Sequence, residues 1–411
     1  MRRRQLLALA PFAALTACTA APDPGDGEGS ASDGGSASDR GSASDGGSDG
    51  PAREPSASPT TAGPTTEPPS AAERLLEKLD EREIAGQLVL VGHAFGTEVP
   101  AEVFTEHHAG GVFLLQRWES AEQVDRAVAR ARELSRPDLP PLLAVDQEGG
   151  QVRMLRGDAA RRTPSAEELG EQGPEAVAEA YASIGEDLAA RGIAVALAPV
   201  ADVVDPALGD ENEPVGALDR GFGTDPEAVG ACVAAAVRAL DEQGVAATLK
   251  HFPGLGRVEQ NTDFSAEGIE DAETSPEDPF LGSFTAGIDA GAPLVMMSSA
   301  VYPRIEPDVP AMFSRAAVQG LLRDQLGFTG LVVTDDIGAA KAVADVPVAE
   351  RATRLLEAGG DVVLTADPTL TGQLVDAILE WAARGEEEAR RVRESAGRML
   401  ALKERQGLLE G

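Results

Sequence analysis

Eight short apolar runs recur along the 411 residues, and segments with helical periodicity lie between several of them. The runs are residues 87–92, 111–115, 142–145, 194–198, 246–249, 294–297, 331–334 and 362–365. Their shortness, and the β-branched residues in several of them, are typical of buried parallel strands. The pattern predicts an α/β fold, a (β/α)8 barrel of the TIM type, with a doubly wound parallel sheet as the alternative.

Four segments between these runs have the periodicity of amphipathic helices. They are residues 120–134, 174–191, 225–243 and 314–326. Ser120 is expected to cap the first of them, because a serine side chain accepts hydrogen bonds from the first turn of a helix.

The first 18 residues differ from the rest. Three arginines at positions 2–4 precede a short, mostly apolar stretch, which is typical of a secretory signal and too short to span a membrane. The sequence Leu-Thr-Ala-Cys at 15–18 resembles the lipobox of bacterial lipoproteins. That resemblance implies cleavage before Cys18 and lipidation of Cys18; a plain signal peptide with an incidental cysteine is the alternative.

Residues 19–70 contain little that a core could bury. The sequence Gly-Ser-Ala-Ser-Asp occurs three times, at 29–33, 35–39 and 41–45, and proline and threonine dominate residues 51–69. We expect a disordered tether that precedes one domain at 71–411. Together with the lipobox, it predicts an extracytoplasmic protein anchored by its lipid, or a secreted one if Cys18 is not lipidated.

The charge of the chain excludes several classes of partner. Lysine and arginine number 35 and aspartate and glutamate 69, so the net charge is −34. A nucleic-acid binder needs a basic face, and so does a protein that docks directly on anionic lipid. We therefore predict no nucleic-acid partner and no membrane contact besides the lipid on Cys18. No cysteine–histidine cluster has zinc spacing, and no metal or other cofactor is predicted.

Polar clusters follow three of the predicted strands. Asp146 follows the third run, Lys250 and His251 the fifth, and Asp335 and Asp336 the seventh. In a barrel these positions lie at the carboxyl ends of the strands, where functional residues collect. Charged groups beside a buried strand are costly unless they are paired or used. We expect the adjacent aspartates to point in opposite directions, so Asp336 is predicted to be a structural acceptor.

Six segments together resemble glycoside hydrolase family 3, in particular its single-domain β-N-acetylhexosaminidases. They are VDQEGGQ (145–151), LAPVADV (197–203), RGFGTDP (220–226), KHFPGLG (250–256), VMMSS (295–299) and GFTGLVVTDDI (327–337). The resemblance spans residues 75–405 and implies a (β/α)8 barrel. It also implies removal of terminal N-acetylhexosamine residues from cell-wall glycans with retention of configuration, and hence a saccharide substrate.

The same resemblance implies roles for individual residues. Asp335 matches the family's nucleophile, and Asp146 matches the carboxylate that accepts hydrogen bonds from sugar hydroxyls. Arg220, Lys250 and His251 match the donors around that sugar. A retaining glycosidase needs a nucleophile and an acid/base on either side of the anomeric carbon, so the second group must also be found.

The acid/base is where the chain departs from the family. The family has a histidine paired with an aspartate in the segment after KHFPG; here Asn261 replaces that aspartate and Asp263 that histidine. No histidine follows His251. Three hypotheses remain: Asp263 is the acid/base, Glu259 takes that role, or the chain is a non-catalytic saccharide-binding lipoprotein on the same barrel.

A second departure lies four residues after the Gly-Gly pair of the first motif. The family commonly has arginine there, and this chain has Met154, with Arg153 and Arg156 nearby.

Overall fold

The eight predicted strands close into a ring. The computed structural model describes residues 69–409; Cys18, the predicted signal peptide and the predicted tether up to residue 68 lie outside them. The strands are β1 Val89–Ala94, β2 Gly111–Leu115, β3 Leu142–Val145, β4 Val195–Ala196, β5 Ala246–Phe252, β6 Leu294–Met297, β7 Leu331–Asp336 and β8 Val362–Thr365. Each pairs in parallel with its sequence neighbours, and β1 also pairs with β8. That last pairing makes the sheet a barrel and excludes the doubly wound alternative.

Helices surround the strands. They are α1 Ala71–Leu76, α2 Glu81–Gly86, α3 Glu102–Thr105, α4 Ala121–Leu134, α5 Ala166–Gln172, α6 Pro174–Ala190, α7 Pro226–Glu242, α8 Gly282–Asp289, α9 Val348–Ala358, α10 Thr371–Ala382 and α11 Glu386–Arg405, with a π-helix at Ala316–Gln325. All four predicted helices are present, with ends within two residues of the prediction. Within residues 69–409, no helix has the length and apolar character needed to cross a bilayer.

The predicted cap at Ser120 is wrong in its chemistry. Ser120 occupies the N-cap position of α4, but its side chain makes no capping hydrogen bond. The carboxylate of Asp158, in the loop after β3, accepts from the backbone N–H of Ala121 at 2.8 Å. A carboxylate also complements the positive end of a helix, so this distant group serves the same purpose.

Side chains from alternate strand positions fill the barrel. Leu90, Phe113, Ala144, Met296 and Val333 are buried in one apolar cluster inside the ring. Strand residues between them face the helices in a second, larger cluster. The interior is therefore packed with side chains, and ligands can reach only its two ends.

Helix α11 closes the barrel at the amino ends of the strands. Met399 and Leu402 join the interior cluster, and the Nζ atom of Lys403 donates to the Oε1 atom of Gln87 at 2.6 Å, just before β1. The first helix docks onto the same element: the carboxylate of Glu404 accepts from the backbone N–H groups of Ala71 (2.9 Å) and of Ala72 (3.2 Å). The carboxyl ends of the strands remain open.

Two short hairpins rise from that open end. Residues 147–149 pair with 152–153 after β3, and residues 301–302 pair with 306–310 after β6. The turn of the first hairpin needs its glycines, because Gly149 has φ +104° and Gly150 has φ +50°.

Candidate active site

The predicted site residues meet at the open end of the barrel. Asp146 follows β3 directly, Lys250 and His251 lie in the last part of β5, and Asp335 lies near the end of β7. Arg220 comes from the connection between β4 and α7. Four of these five are linked by side-chain contacts, directly or through Glu148, and Asp335 belongs to a second group described below.

Glu148 connects the two cations of the site. The Nζ atom of Lys250 lies 2.6 Å from Asp146 Oδ1 and 2.6 Å from Glu148 Oε1. Arg220 forms a bidentate pair with Glu148, with Nε and Nη2 each 2.9 Å from an oxygen. Charge-assisted pairs with this geometry are strong and directional. The arrangement holds both cations at fixed positions beside Asp146.

These groups keep their charges although they are buried. Burial raises the pKa of Glu148, which is 2% exposed, but the charges of Arg220 and Lys250 outweigh it and lower the pKa to about 2. Burial also opposes the charge of Lys250, and Asp146 and Glu148 overcome it, so the pKa of Lys250 is raised. The ion pairs that Glu148 forms with Lys250 and Arg220 therefore remain charged at neutral pH.

Asp146 retains a free acceptor. Its Oδ1 atom binds Lys250, whereas no donor within residues 69–409 is bonded to Oδ2, and the side chain is 23% exposed. A carboxylate oxygen so placed can accept hydrogen bonds from ligand hydroxyl groups.

A buried aspartate orients His251. The Nδ1 atom of His251 lies 2.8 Å from Asp202 Oδ2, and Asp202 Oδ1 accepts from the backbone N–H groups of His251 (2.9 Å) and of Leu255 (3.0 Å). Since an ionised carboxylate only accepts, Nδ1 of His251 donates to it. The other ring nitrogen, Nε2, then faces Arg220 Nη2 at 3.5 Å.

The two adjacent aspartates of β7 have different surroundings. Asp336 accepts three backbone hydrogen bonds, from Gly338 (2.8 Å), Ala339 (2.8 Å) and Ala366 (2.7 Å). Its predicted role as a structural acceptor is confirmed. Asp335 is half-buried, and its Oδ1 atom accepts only from the backbone N–H of Asp336 at 2.9 Å among the described residues. The carboxylate of Asp335 is left available to a ligand.

The segment after β5 carries Asp263 towards Asp335. The Oδ1 atom of Asn261 accepts from the backbone N–H of Asp263 at 2.9 Å, which forms a tight turn. The backbone oxygens of Thr262 and Asp263 accept from the N–H groups of Ala342 (3.2 Å) and Lys341 (3.3 Å). Since those two residues lie in the loop after β7, the strand that carries Asp335 also positions Asp263.

Asp263 is the carboxyl group whose pKa suits an acid. Burial among neighbouring groups, then the charge of Asp335, then that of Asp336 raise the pKa of Asp263 to about 7, against the opposing charges of Arg220 and His251. More than a third of the residue is nevertheless exposed, so water reaches it. The negative charges nearby give the direction of the shift independently of the degree of burial. Two carboxyl groups that interact, one protonated near neutral pH, can serve as an acid and a nucleophile.

Glu259, the alternative candidate for the acid/base, does not share the surroundings of Asp263. Its side chain is exposed and forms no hydrogen bond or ion pair with residues 69–409, and its backbone oxygen accepts from the backbone N–H of Glu213 at 3.0 Å.

Met154 is half-buried against the core, so its side chain does not replace the arginine that the family commonly has there. Within the described part of the chain, no group of histidine, cysteine, aspartate or glutamate residues is arranged to hold a metal ion.

Two functional groups were not predicted from the sequence. Glu148 and Asp202 both lie inside segments that carried the family resemblance. Glu148 could have been found, because it lies two residues after Asp146 and alternate residues of an extended chain share a face. Asp202 lies nearly fifty residues before His251 in the sequence, and no local pattern connects the two residues.

Comparison with known proteins shows the family of the chain. The model of the Glycosyl hydrolase family 3 N terminal domain matches residues 79–402. The chain belongs to this family. This chain is 38% identical over 304 residues to a β-hexosaminidase of Xanthomonas oryzae pv. oryzae, and the match covers 71% of this chain and 87% of the relative. A β-hexosaminidase of Stenotrophomonas maltophilia gives the same identity and coverage.

A solved structure extends the match to three dimensions. The crystal structure of a β-N-acetylhexosaminidase from Beutenbergia cavernae superposes with a TM-score of 0.75 at 41% identity, covering 79% of this chain and 99% of that one. The predicted family, barrel and glycosidase class are therefore confirmed, and a saccharide is the substrate of this family 3 chain. The relatives are named as enzymes, which gives no support to the alternative of a non-catalytic binding protein.

Proposed function

We propose that the chain removes terminal N-acetyl-β-hexosamine residues from glycans with retention of configuration, with Asp335 as nucleophile and Asp263 as acid/base. One observation carries this proposal: the charge of Asp335 is a leading cause of the raised pKa of Asp263. The sugar class rests on the relatives, which are named β-hexosaminidases and a β-N-acetylhexosaminidase.

In the first step, Asp335 attacks the anomeric carbon and the glycosidic bond breaks. Asp263, protonated below pH about 7, gives its proton to the departing oxygen, and a glycosyl ester forms on Asp335. Asp146 accepts from the sugar hydroxyls through Oδ2, while Lys250 keeps it in place through Oδ1. Arg220 and Lys250 are themselves held by their shared partner Glu148.

In the second step, water attacks the same carbon and Asp335 leaves. Asp263, now ionised, takes a proton from that water. The ester removes the negative charge of Asp335, and with it a main reason for the raised pKa of Asp263. The same group is therefore a better acid before the ester forms and a better base afterwards.

A trapping experiment tests the nucleophile. A fluorinated N-acetylhexosaminyl fluoride that forms a slowly hydrolysed ester is incubated with the protein, and the labelled peptide is identified by mass spectrometry. The adduct is expected on Asp335 and is expected to be absent in Asp335→Asn. An adduct on any other residue contradicts the assignment.

A rescue experiment tests the acid/base. Asp263→Ala should lose about 10²–10⁴ in rate on a substrate with a poor leaving group. It should recover turnover with azide on an aryl glycoside, because azide needs no general base. Glu259→Gln is the matched control and should retain wild-type rates. If Glu259→Gln is the variant that azide rescues, the two roles must be exchanged.

We also propose that the protein acts outside the cytoplasm on cell-wall glycans while anchored by a lipid on Cys18. The lipobox-like segment at 15–18 and the signal-like stretch before it support this. Radiolabelled palmitate should enter the wild-type protein and not Cys18→Ala. Labelling of both proteins, or of neither, contradicts the anchor.

A further inference from the structure

Four arginines collect at the open end of the barrel, in a set we call the arginine rim. Arg117 follows β2, and Arg153, Arg156 and Arg162 belong to the long connection after β3. Both connections leave the carboxyl ends of their strands, which is the face that holds the candidate active site.

Backbone hydrogen bonds fix the two connections side by side. Met154 accepts from Trp118 at 2.8 Å, and Trp118 in turn accepts from Arg156 at 2.9 Å. The backbone N–H of Met154 also donates to the backbone oxygen of Asp146 at 3.0 Å. The rim therefore adjoins the residue that is proposed to hold the sugar hydroxyls.

The positive charges of the rim lie close enough together to act on one another. After burial, the charges of Arg156 and Arg162 are the main causes that lower the pKa of Arg153, and Arg117 adds to them. Glu119 is the carboxylate that acts in the opposite direction. Among residues 69–409, Arg117, Arg153 and Arg162 form no ion pair with a carboxylate, and Arg153 Nε donates to the backbone oxygen of Gly150 at 2.9 Å.

The next arginine along the chain shows the contrast. Arg161, beside Arg162, pairs with Glu186 at 2.6 Å and with Asp187 at 2.9 Å on α6. The chain carries a net charge of −34, so carboxylates are abundant, and the rim is a local exception. Like charges held together repel, and a bound anion relieves that repulsion.

The direction of substrate entry decides which part of the substrate faces the rim. Lys250, Glu148 and His251 form a buried floor of the site. A terminal sugar must enter first to reach them, and the leaving-group part of the substrate then remains at the mouth. This step rests on the proposed function, because it assumes hydrolysis of a terminal sugar.

We propose that the arginine rim binds an anionic group, a carboxylate or a phosphate, on the leaving-group part of the substrate. Guanidinium groups match both anions through paired N–H donors. The rim thereby selects charged leaving groups over neutral ones of the same size.

The test compares matched substrates. The 4-methylumbelliferyl and 3-carboxyumbelliferyl N-acetyl-β-glucosaminides differ mainly by one carboxylate, and a phosphonate analogue distinguishes the two anions. The measured quantity is kcat/KM for each anionic substrate divided by kcat/KM for the neutral one. Intrinsic differences in leaving-group reactivity cancel when this ratio is compared between wild type and variants.

The double variant Arg153→Gln/Arg162→Gln should lower that ratio about three- to tenfold, with little change for the neutral substrate. Added NaCl should lower the wild-type ratio as well, because salt screens exposed charges. Arg126→Gln, on the exposed face of α4, is the matched control and should leave the ratio unchanged. Thermal melting shows whether each variant is folded.

An equal ratio in wild type and the double variant, for both anions, overturns the inference. The outcome is distinct from failure of the proposed function, in which wild type hydrolyses no substrate at all. Calorimetric binding of the same glycosides to Asp335→Asn, with and without the two rim substitutions, makes the comparison without turnover. Equal affinities in that comparison also overturn it.

Discussion

Replacement of Lys403 by methionine is expected to stabilise the protein at neutral and acidic pH. Lys403 is fully buried on α11, and the described residues offer its Nζ atom one hydrogen-bond acceptor, Gln87 Oε1. Burial lowers the pKa of Lys403 from its usual 10.5 to about 7. A buried amine without a carboxylate partner is costly in its charged form.

The magnitude follows from the pKa. A fall of the pKa from 10.5 to about 7 corresponds to a loss of about 5 kcal/mol of folding stability when the amine is charged. Lysine is neutral in both states above pH 10.5, so no penalty exists there. As the pH falls from 10.5 to about 7, the unfolded state gains a proton that the folded state does not, and stability falls; below about pH 7 the full penalty applies.

The substitution also removes a hydrogen bond. Gln87 is buried, and its Oε1 atom would lose its donor, at a cost of about 1–3 kcal/mol. Relative to wild type, the free energy of unfolding of Lys403→Met should therefore be higher by about 2–4 kcal/mol near pH 6 and lower by about 1–3 kcal/mol near pH 10.5. The sign of the effect changes with pH, which no simple packing effect of methionine would produce.

Thermal melting of the full chain at pH 6, 8 and 10 measures this difference. The melting temperature at pH 6 should rise by roughly 3–8 °C. Lys78→Met is the matched control: Lys78 is exposed, and its replacement should change stability by less than about 0.5 kcal/mol. A lower melting temperature for Lys403→Met at pH 6, or a difference that does not vary with pH, refutes the reasoning.

Three further predictions concern charged groups. Wild-type kcat/KM on a substrate with a poor leaving group should fall tenfold per pH unit above about pH 7, as Asp263 loses its proton, and Asp263→Asn should lack that limb in a pH–rate profile. Glu148→Gln should destabilise the fold by about 3–5 kcal/mol in thermal melting, because it leaves buried Arg220 and Lys250 without their shared partner. Asp361→Asn should cost a similar amount, since Asp361 pairs with three arginines; its pKa is lowered, so the wild-type advantage should disappear in acid as Asp361 is protonated.

The strands could be predicted because both faces of a barrel strand are buried. Strands β2, β3, β6 and β8 have the predicted ends. The fourth run was predicted at 194–198, yet β4 is only Val195–Ala196. Pro199 has no N–H for a ladder hydrogen bond, which limits pairing beyond that point. The apolar pattern reports burial, and it does not report where ladder pairing stops.

The position of a candidate site residue could be predicted from the sequence where that residue lies at the end of a strand. Asp146, Lys250, His251 and Asp335 belong to this class. The roles of Glu148 and Asp202 depend on partners that the barrel brings from other strands. The raised pKa of Asp263 likewise arises where the loop after β5 meets the end of β7, and no local sequence pattern shows that these two segments meet.

The docking of the first helix has a practical consequence. Ala71 and Ala72 bond to Glu404 on the helix that seals the amino ends of the strands, so residue 69 lies at the base of the barrel, away from the mouth. A preparation immobilised on beads through the beginning of this domain would turn its catalytic opening towards the liquid. Coupling through the loops after β2 or β3 would instead press that opening against the support.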